Sequence, residues 1–308
     1  LPLGIACSHY LLLQSVIVLL GVSVIVFGLT YLRGDPAAAL LPLNTPREDV
    51  ELFRRAAGFD QPVPMQYWNF ITRAARGDFG QSLKYREPAL PIVLERLPAT
   101  ASLAALGLAV ALLIALPLGT LSALKRGTVW DWLARAVFLL GQSVPNFWLA
   151  IVLILIFAVA LRWVPPSGAD SWQSLLLPAL TIGAFPAATI ARLLRSALME
   201  VMDADFIRTA RAKGLRERFI VSRHALKNAA IPAVTVIALQ VGTLMSGAII
   251  VETIFAYPGM GRLTVQAISA RDVPVIQAFV FLSALVIVLT NLALDLIYTW
   301  LDPRIRLA

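Results

Sequence analysis

The stretch Leu97–Leu124, LPATASLAALGLAVALLIALPLGTLSAL, contains no charged residue. A helix needs about 20 mostly apolar residues to cross a hydrocarbon core about 30 Å thick. All 44 charged side chains, 26 basic and 18 acidic, lie outside this stretch and five others of similar length. We therefore predict an all-α polytopic membrane protein with six transmembrane helices. The five other uncharged stretches are Tyr10–Leu32, Ala136–Leu161, Ser171–Ala191, Asn228–Val251 and Val273–Leu294.

The composition excludes a soluble globular protein. Hydrophobic residues make up 59% of the 308 residues and charged residues only 14%, against about 25% in ordinary globular chains. A soluble protein would carry charges on the solvent face of nearly every helix. No basic residue precedes Tyr10–Leu32, and this stretch is longer than the apolar part of a signal peptide, so we expect a retained first helix.

The distribution of basic residues predicts the orientation in the membrane. The segment between the fourth and fifth stretches, Arg192–Lys227, holds nine Lys and Arg against four acids. Short cytoplasmic loops are enriched in Lys and Arg, whereas a loop as long as Arg33–Arg96 carries little information. We therefore expect both termini in the cytoplasm and Arg33–Arg96 outside. The net charge of +8 is explained by this asymmetry, and we predict no nucleic-acid partner.

The predicted organisation is one membrane domain with two larger insertions. Its predicted parts are a cytoplasmic N-terminus (1–9), helix 1 (10–32), an extracytoplasmic insertion (33–96), helix 2 (97–124), helix 3 (136–161), helix 4 (171–191), a cytoplasmic coupling element (192–227), helix 5 (228–251), an extracytoplasmic loop (252–272), helix 6 (273–297) and a cytoplasmic tail (298–308).

The outer insertion carries helix signals of its own. Thr45-Pro46-Arg47-Glu48 fits a capping box, and Gly58 is placed to end that helix. A second helix is predicted from about Pro64 to Gly77, and the alternative is a loose tether. Three aromatic side chains of the second helix are candidates for contact with the membrane interface: Tyr67, Trp68 and Phe70.

The segment Asp205–Asn228, hereafter the docking element, has the pattern of a compact helix–turn–helix. Asp203 or Asp205 is placed to cap the first helix, Gly214 to allow a left-handed turn, and Arg216 to open the second helix. Its cations and apolar residues predict a contact surface for a soluble partner, and the alternative is a basic patch on lipid headgroups. A DNA-binding role is disfavoured because membrane helices flank both ends. The predicted apolar anchors are Phe206, Ile207, Phe219 and Ile220.

At this segment the chain resembles the inner-membrane permease subunits of binding-protein-dependent ABC importers, in the dipeptide, oligopeptide and nickel branch. The family signature is Glu-Ala-Ala, three residues, Gly, nine residues, then Ile-x-Leu-Pro. Ala210, Gly214 and Leu226 match its second alanine, its glycine and its leucine. The chain departs from the signature at Arg208, Thr209, His224 and Lys227. The run Arg208–Leu215 has the form that is usual in the peptide branch.

Further motifs of that branch occur in order along nearly the whole chain. They are Gly34-Asp35-Pro36, Gly77-Asp78-Phe79-Gly80-Gln81-Ser82, Glu252-Thr253-Ile254-Phe255-Ala256-Tyr257-Pro258-Gly259-Met260-Gly261-Arg262, then Asn291, Asp295, Tyr298 and Asp302-Pro303-Arg304-Ile305-Arg306.

The resemblance implies the type I permease fold of ABC importers, in the bacterial inner membrane, with no catalytic residues and no metal site. Expected partners are a second, homologous permease in a heterodimer, two ABC ATPase subunits that bind ATP and Mg, an extracytoplasmic solute-binding protein, and membrane lipid. Asp78, Tyr257 and Pro258 are candidates for binding-protein docking. The implied ATPase-coupling residues are Asp205, Arg208, Thr209, Ala210, Arg211, Lys213, Gly214, Leu215 and His224.

The predicted function is import of di- or oligopeptides, or of glutathione or nickel chelates as alternatives. No phosphate-binding loop occurs in the sequence, so ATP hydrolysis is expected in partner subunits. The alternative of another class is an ion-coupled secondary transporter. Such carriers usually place an ionisable group near the middle of the membrane, whereas the six stretches predicted to cross the membrane contain no carboxylate. An intramembrane enzyme is disfavoured because hydrolase and metalloprotease motifs are absent. The polar candidates for a translocation path are Gln142, Ser143, Asn146 and Gln240, although hydrogen bonds between helices would equally explain them.

The predicted orientation can be tested by cysteine labelling after the single native cysteine, Cys7, is replaced by Ser. A cysteine at Asn44 or Gln81 is expected to react with a membrane-impermeant maleimide in intact cells. A cysteine at Ser222 is expected to react only after permeabilisation, because the basic excess of Arg192–Lys227 holds that segment inside. Labelling of Ser222→Cys in intact cells would contradict the predicted orientation.

Overall fold

The computed structural model describes residues 2–29, 37, 41, 45–56 and 58–301. Regular structure in these residues is helical, apart from an isolated bridge between Gln81 and Pro88. The α-helices are α1 (Pro2–Leu29), α2 (Arg47–Ala56), α3 (Val63–Ala74), α4 (Ala89–Leu124), α5 (Val129–Ser143), α6 (Asn146–Leu153), α7 (Leu176–Met202), α8 (Asp205–Ala212), α9 (Glu217–Phe219), α10 (Leu226–Ile254), α11 (Met260–Ala270) and α12 (Val273–Leu301). The motifs at Gly34–Pro36 and Asp302–Arg306, and Asn44, lie outside the described residues.

Three helical segments in the described residues are long and apolar enough to cross a bilayer unbroken: Ala89–Leu124, Trp172–Met202 and Val273–Ala293. Two bent pairs, Val129–Ser143 with Asn146–Ala160 and Glu217–Ala230 with Pro232–Met245, raise the number to five if each pair is one span. Within α1, Leu13–Gly28 is a shorter apolar helix. The helical fold class is thus confirmed, and the number of six spans stays a prediction.

The third uncharged stretch is not one straight helix. α5 and the helix that begins at Asn146 meet at an angle of 110°. Val144, the residue before Pro145, has extended backbone angles (φ −80°, ψ 122°). Proline disfavours the helical conformation in the residue before it and has no N–H to donate. Pro145 therefore accounts for a break that hydropathy alone does not reveal.

Several helices extend beyond the uncharged stretches. α4 begins at Ala89 and includes Glu95 and Arg96, which were predicted to belong to the insertion. Glu and Arg are good helix formers, and the nearby Pro91 lies in the first turn, where proline is tolerated. α7 likewise continues past Ala191 to Met202. Absence of charge therefore marks the apolar part of a helix and not its ends.

The contacts divide the chain into two compact units, the first made of residues 1–98 and 262–308. In this unit α1 packs on α12 and on α3. Ser23 and Tyr67 share a hydrogen bond of 2.7 Å between their hydroxyls, and the ring of Phe27 lies 5.5 Å from that of Tyr67. Phe70 also packs against Phe27, whereas Trp68 is exposed. Both predicted helices of the insertion are present, ending close to Gly58 and Gly77, which have positive φ.

The second unit, residues 99–261, is built on α7. α7 contacts α5, α6 and α10, and buried apolar residues line these contacts. α4 and α7 approach closely where two glycines face each other: a Cβ on Gly183 would lie 2.5 Å from the backbone oxygen of Gly107. Small residues let membrane helices pack backbone to backbone, because lipid tails supply no hydrophobic driving force between helices. The Gly107–Gly183 contact thus fixes the spacing of α4 and α7.

Replacement of Gly183 by Ala is expected to destabilise this unit. The added methyl group would clash with backbone, and overpacking of this kind costs about 1–3 kcal/mol. Gly242→Ala on α10 is a matched control, because a Cβ there meets no atom within 4 Å. Thermal unfolding of the purified protein in nanodiscs should show a lower midpoint for Gly183→Ala only. Equal midpoints for the two variants would contradict the close contact.

Candidate functional site

The first helix of the docking element begins without a side-chain cap. Ala204 occupies the N-cap position with extended backbone angles, and no side chain caps the helix there. The predicted cap by Asp203 or Asp205 is therefore wrong. Asp205 lies instead in the first turn of α8 and pairs with Arg208 at 3.4 Å. A carboxylate in the first turn still favours the helix through the helix dipole, which explains the misleading sequence signal.

The turn after α8 is left-handed, as predicted. Gly214 has φ +74°, and its N–H donates to the Arg211 carbonyl oxygen at 2.9 Å. A Cβ at Gly214 would meet no atom within 4 Å, so the turn requires glycine for its backbone conformation and not for space. Arg216 then takes an extended conformation and precedes α9, so its predicted position is also confirmed.

An ion pair closes this turn. Arg211 Nη2 lies 2.8 Å from Glu217 Oε1, which joins the end of α8 to the start of α9. The hydrogen bond donated by Arg211 lowers the pKa of Glu217, and the same bond raises the pKa of Arg211. Both side chains are about half exposed, so water screens the pair and its contribution to stability is small. Its geometric effect is to hold two short helices in one orientation.

The docking element is anchored on α7 through a small core. Ile207 and Ile220 are fully buried and pack with Leu194 and Leu198 of α7, and Ala210 completes the contact. After α9 the chain continues as a π-helix, Ile220–Ala225, directly into α10. Helices α7 and α10 therefore hold the two ends of the docking element, and its buried side fixes it to both.

The outward surface of the docking element combines aromatic and cationic side chains. Phe206 and Phe219 are each 46% exposed, so the four predicted anchors divide into two buried isoleucines and two exposed phenylalanines. The ring of Phe219 lies 5.7 Å from that of the half-buried His224. Of the predicted coupling residues Ala210 is buried, and those exposed are Asp205, Arg208, Thr209, Arg211, Lys213, Gly214 and Leu215.

Three of the four polar candidates for the translocation path lie at the 110° bend. Gln142 and Ser143 precede Pro145, and Asn146 follows it. Gln142 donates to the Thr189 hydroxyl on α7 at 3.3 Å. Gln240 lies on α10, where it is buried and accepts a hydrogen bond of 2.7 Å from Thr243. Gln142, Ser143 and Asn146 therefore lie together because they are close in the sequence, whereas Gln240 lies in a separate environment on α10.

The three candidates for binding-protein docking differ in exposure. Asp78 is exposed, and the hydrogen bond from Arg73 lowers its pKa. Tyr257 is 4% exposed and shares a 3.0 Å hydrogen bond with Ser102. Pro258 is half-buried. Tyr257 therefore belongs to the core of the second unit and does not present its ring on the surface.

The sequence did not indicate that Glu252, near the end of α10, is a buried contact with α4. Its side chain is fully buried and accepts a 2.6 Å hydrogen bond from Thr100 on α4, whose oxygen also accepts the Met260 N–H at 2.8 Å. A Cβ on Gly259 would overlap the Glu252 carboxylate. Gly259 was the available signal in the sequence, because a glycine leaves room for a buried carboxylate.

The family of binding-protein-dependent transport system inner membrane components matches residues 115–307, and the N-terminal region of such components matches residues 10–104. The chain is 41% identical to the glutathione transport system permease protein GsiC of Escherichia coli K12 over 286 residues, 92% of this chain and 94% of that protein. It is also 41% identical to GsiC of Salmonella typhimurium LT2, over 96% of this chain and 97% of that protein.

Solved structures show the same fold at lower sequence identity. The MetNI methionine ABC transporter in an inward-facing conformation matches with a TM-score of 0.59 and 20% identity, over 68% of this chain and 96% of that chain. An amino acid ABC transporter matches with a TM-score of 0.52 and 14% identity, over 67% and 92%. The chain belongs to the family of binding-protein-dependent transport system inner membrane components, and it is a multi-pass permease subunit of an ABC importer in the dipeptide and oligopeptide branch.

Proposed function

We propose that this permease imports short peptides, with glutathione as the first substrate to test. The observation that carries the proposal is the 41% identity to glutathione permeases over 92% of the chain. Glutathione is a tripeptide, so it falls within the substrate class that the sequence motifs imply. Its backbone amides and carboxylates are groups that polar side chains within a membrane path can hydrogen-bond.

The docking element is the proposed contact with an ATPase subunit. Its buried isoleucines hold it on α7, whereas Phe206 and Phe219 are exposed to solvent. Exposed aromatic side chains surrounded by polar and charged ones are typical of protein–protein contact sites. ATP binding would close two ATPases on each other, move the docking elements and open the path outward, and hydrolysis would return it.

The proposed path passes the bend at Pro145. Broken helices inside a membrane protein are tolerated where the freed backbone groups are buried in protein or face a water-filled cavity. Gln142, Ser143 and Asn146 lie at this break and would offer hydrogen bonds to a passing peptide. Gln240 is the proposed contact from α10. On the outer side, Asp78 and Pro258 are the proposed contacts for a solute-binding protein.

We also propose that the permease works as half of an unlike pair with both termini in the cytoplasm. The chain contributes one docking element, whereas two ATPases need one each. A homodimer would supply two, but it would also place two 64-residue insertions, 33–96, around one pore mouth where a single binding protein docks. A partner permease without that insertion leaves one side of the docking surface open.

Gentle purification of the tagged protein is expected to recover a second permease and ATPase subunits in the same complex. Reconstituted with its solute-binding protein, the complex should take up labelled glutathione in an ATP-dependent manner, and short peptides should compete. Bands are identified by mass spectrometry and uptake is measured in proteoliposomes. Active complexes that hold only this permease and ATPase would contradict the unlike pair. Uptake of nickel chelates but not glutathione would contradict the substrate class, and uptake without ATP would contradict the ATP-driven mechanism.

Replacement of Gly214 by Val is expected to reduce uptake per ATP hydrolysed without loss of the complex from the membrane. A β-branched residue at φ +74° costs on the order of 1–2 kcal/mol and would reorient α9 relative to α8. Gly214→Asn is the matched control, because Asn tolerates the left-handed conformation better than other side chains. Uptake and ATP hydrolysis are measured on the same proteoliposomes. Wild-type uptake in Gly214→Val would show that the turn is not needed for coupling.

A further inference from the structure

Asp131 is a buried carboxylate at the start of α5. Its side chain is only 2% exposed. Ser122 Oγ donates to Oδ1 at 2.6 Å, and the Gly127 N–H donates to Oδ2 at 3.1 Å. These bonds hold the carboxylate against the end of α4 and the short link between α4 and α5.

Arg195 of α7 binds the same carboxylate with two nitrogens. Its Nε lies 3.0 Å from Oδ1 and its Nη2 lies 3.2 Å from Oδ2, while Nε also donates to Ser122 Oγ at 2.9 Å. A two-pronged arginine–carboxylate pair fixes orientation as well as distance. Asp131, Ser122 and Arg195, hereafter the clamp, thus join α4, α5 and α7 at one point.

The clamp lies directly beside the core of the docking element. Arg195 follows Leu194 and lies within one turn of Leu198, the two α7 residues that pack against Ile207 and Ile220. α7 stays helical to Met202, three residues before α8 begins. Close-packed interiors have low compressibility and transmit strain. A displacement of the docking element would therefore also displace Arg195. Through the bond to Asp131, it would displace α4 and α5.

We propose that the clamp carries the movement of the docking element to α4 and α5, which makes Asp131 and Arg195 positioning residues for coupled transport. This inference rests on the proposed function. Neither residue belongs to the predicted coupling surface, and neither contacts the ATPase or the substrate in the proposal. Their role is to keep α4 and α5 fixed to α7 while α7 moves.

Arg135 offers a matched control. Its Nε lies 3.5 Å from Asp131 Oδ1, and its guanidinium stacks over Trp132 at 4.3 Å. Arg135 and Asp131 both belong to α5, so this contact cannot tie one helix to another. Loss of Arg135 removes a cation near the carboxylate and leaves the link between helices intact.

The test compares the complete complex in proteoliposomes as wild type, as the double variant Asp131→Leu with Arg195→Met, and as Arg135→Gln. Both members of the pair are replaced together, because removal of one leaves a buried charge and destabilises the fold, whereas an apolar pair is often tolerated. The double variant is expected to keep its melting midpoint and its ATP hydrolysis. Its uptake per ATP should fall roughly fivefold or more, the lower range of coupling between linked sites. Arg135→Gln should keep the wild-type ratio.

An unchanged ratio of uptake to ATP hydrolysis in the double variant would overturn the clamp, and so would an equal fall in Arg135→Gln. If the double variant does not assemble, Arg195→Lys decides, because it keeps the charge and loses the two-pronged geometry. A lowered ratio in Arg195→Lys supports the clamp, and a wild-type ratio contradicts it. Wild-type complexes that show no ATP-driven uptake would contradict the proposed function itself, which separates the two failures.

Discussion

The packing of Ile207 and Ile220 against Leu194 and Leu198 is the contact on which the docking element depends. α8 has eight residues and α9 has three, so neither would be stable as a helix without tertiary support. Burial of four apolar side chains supplies that support and anchors the docking element to α7. Phe206 of α8 and Phe219 of α9, which directly precede these two isoleucines, are exposed.

Two buried carboxyl groups in the second unit lie where side chains of different helices meet. Asp131 is held by donors from α4, α7 and the α4–α5 link, and Glu252 is held to α4 by Thr100. Each of the two accepts a hydrogen bond of 2.6 Å from a hydroxyl group, which offsets the cost of removing a polar group from water. A pair such as Asp131–Arg195 adds little to net stability compared with apolar packing, but it restricts the arrangement of the helices it joins.

In the first unit, the insertion has tertiary contacts of its own. Tyr67 and Phe70 pack on Phe27 of α1, and Phe79 packs against Phe281 of α12. Ser82 donates to the buried carboxylate of Asp272, immediately before α12. Between residues 58 and 96, these contacts contradict the alternative of a loose tether. These contacts would hold Asp78 in a defined orientation for the solute-binding protein proposed above.

The sequence by itself determined the helical class, the apolar stretches, the left-handed turn at Gly214 and the family, because charge-free runs and glycine positions reflect local physical limits. It could not give the ends of α4 and α7, since charged residues continue a helix as readily as apolar ones. It gave no sign that Ile207 would be buried and Phe206 exposed, because both are apolar and adjacent. Only the tertiary structure decided that Asp131 meets Arg195, 64 residues apart, since such pairing depends on how α5 packs against α7.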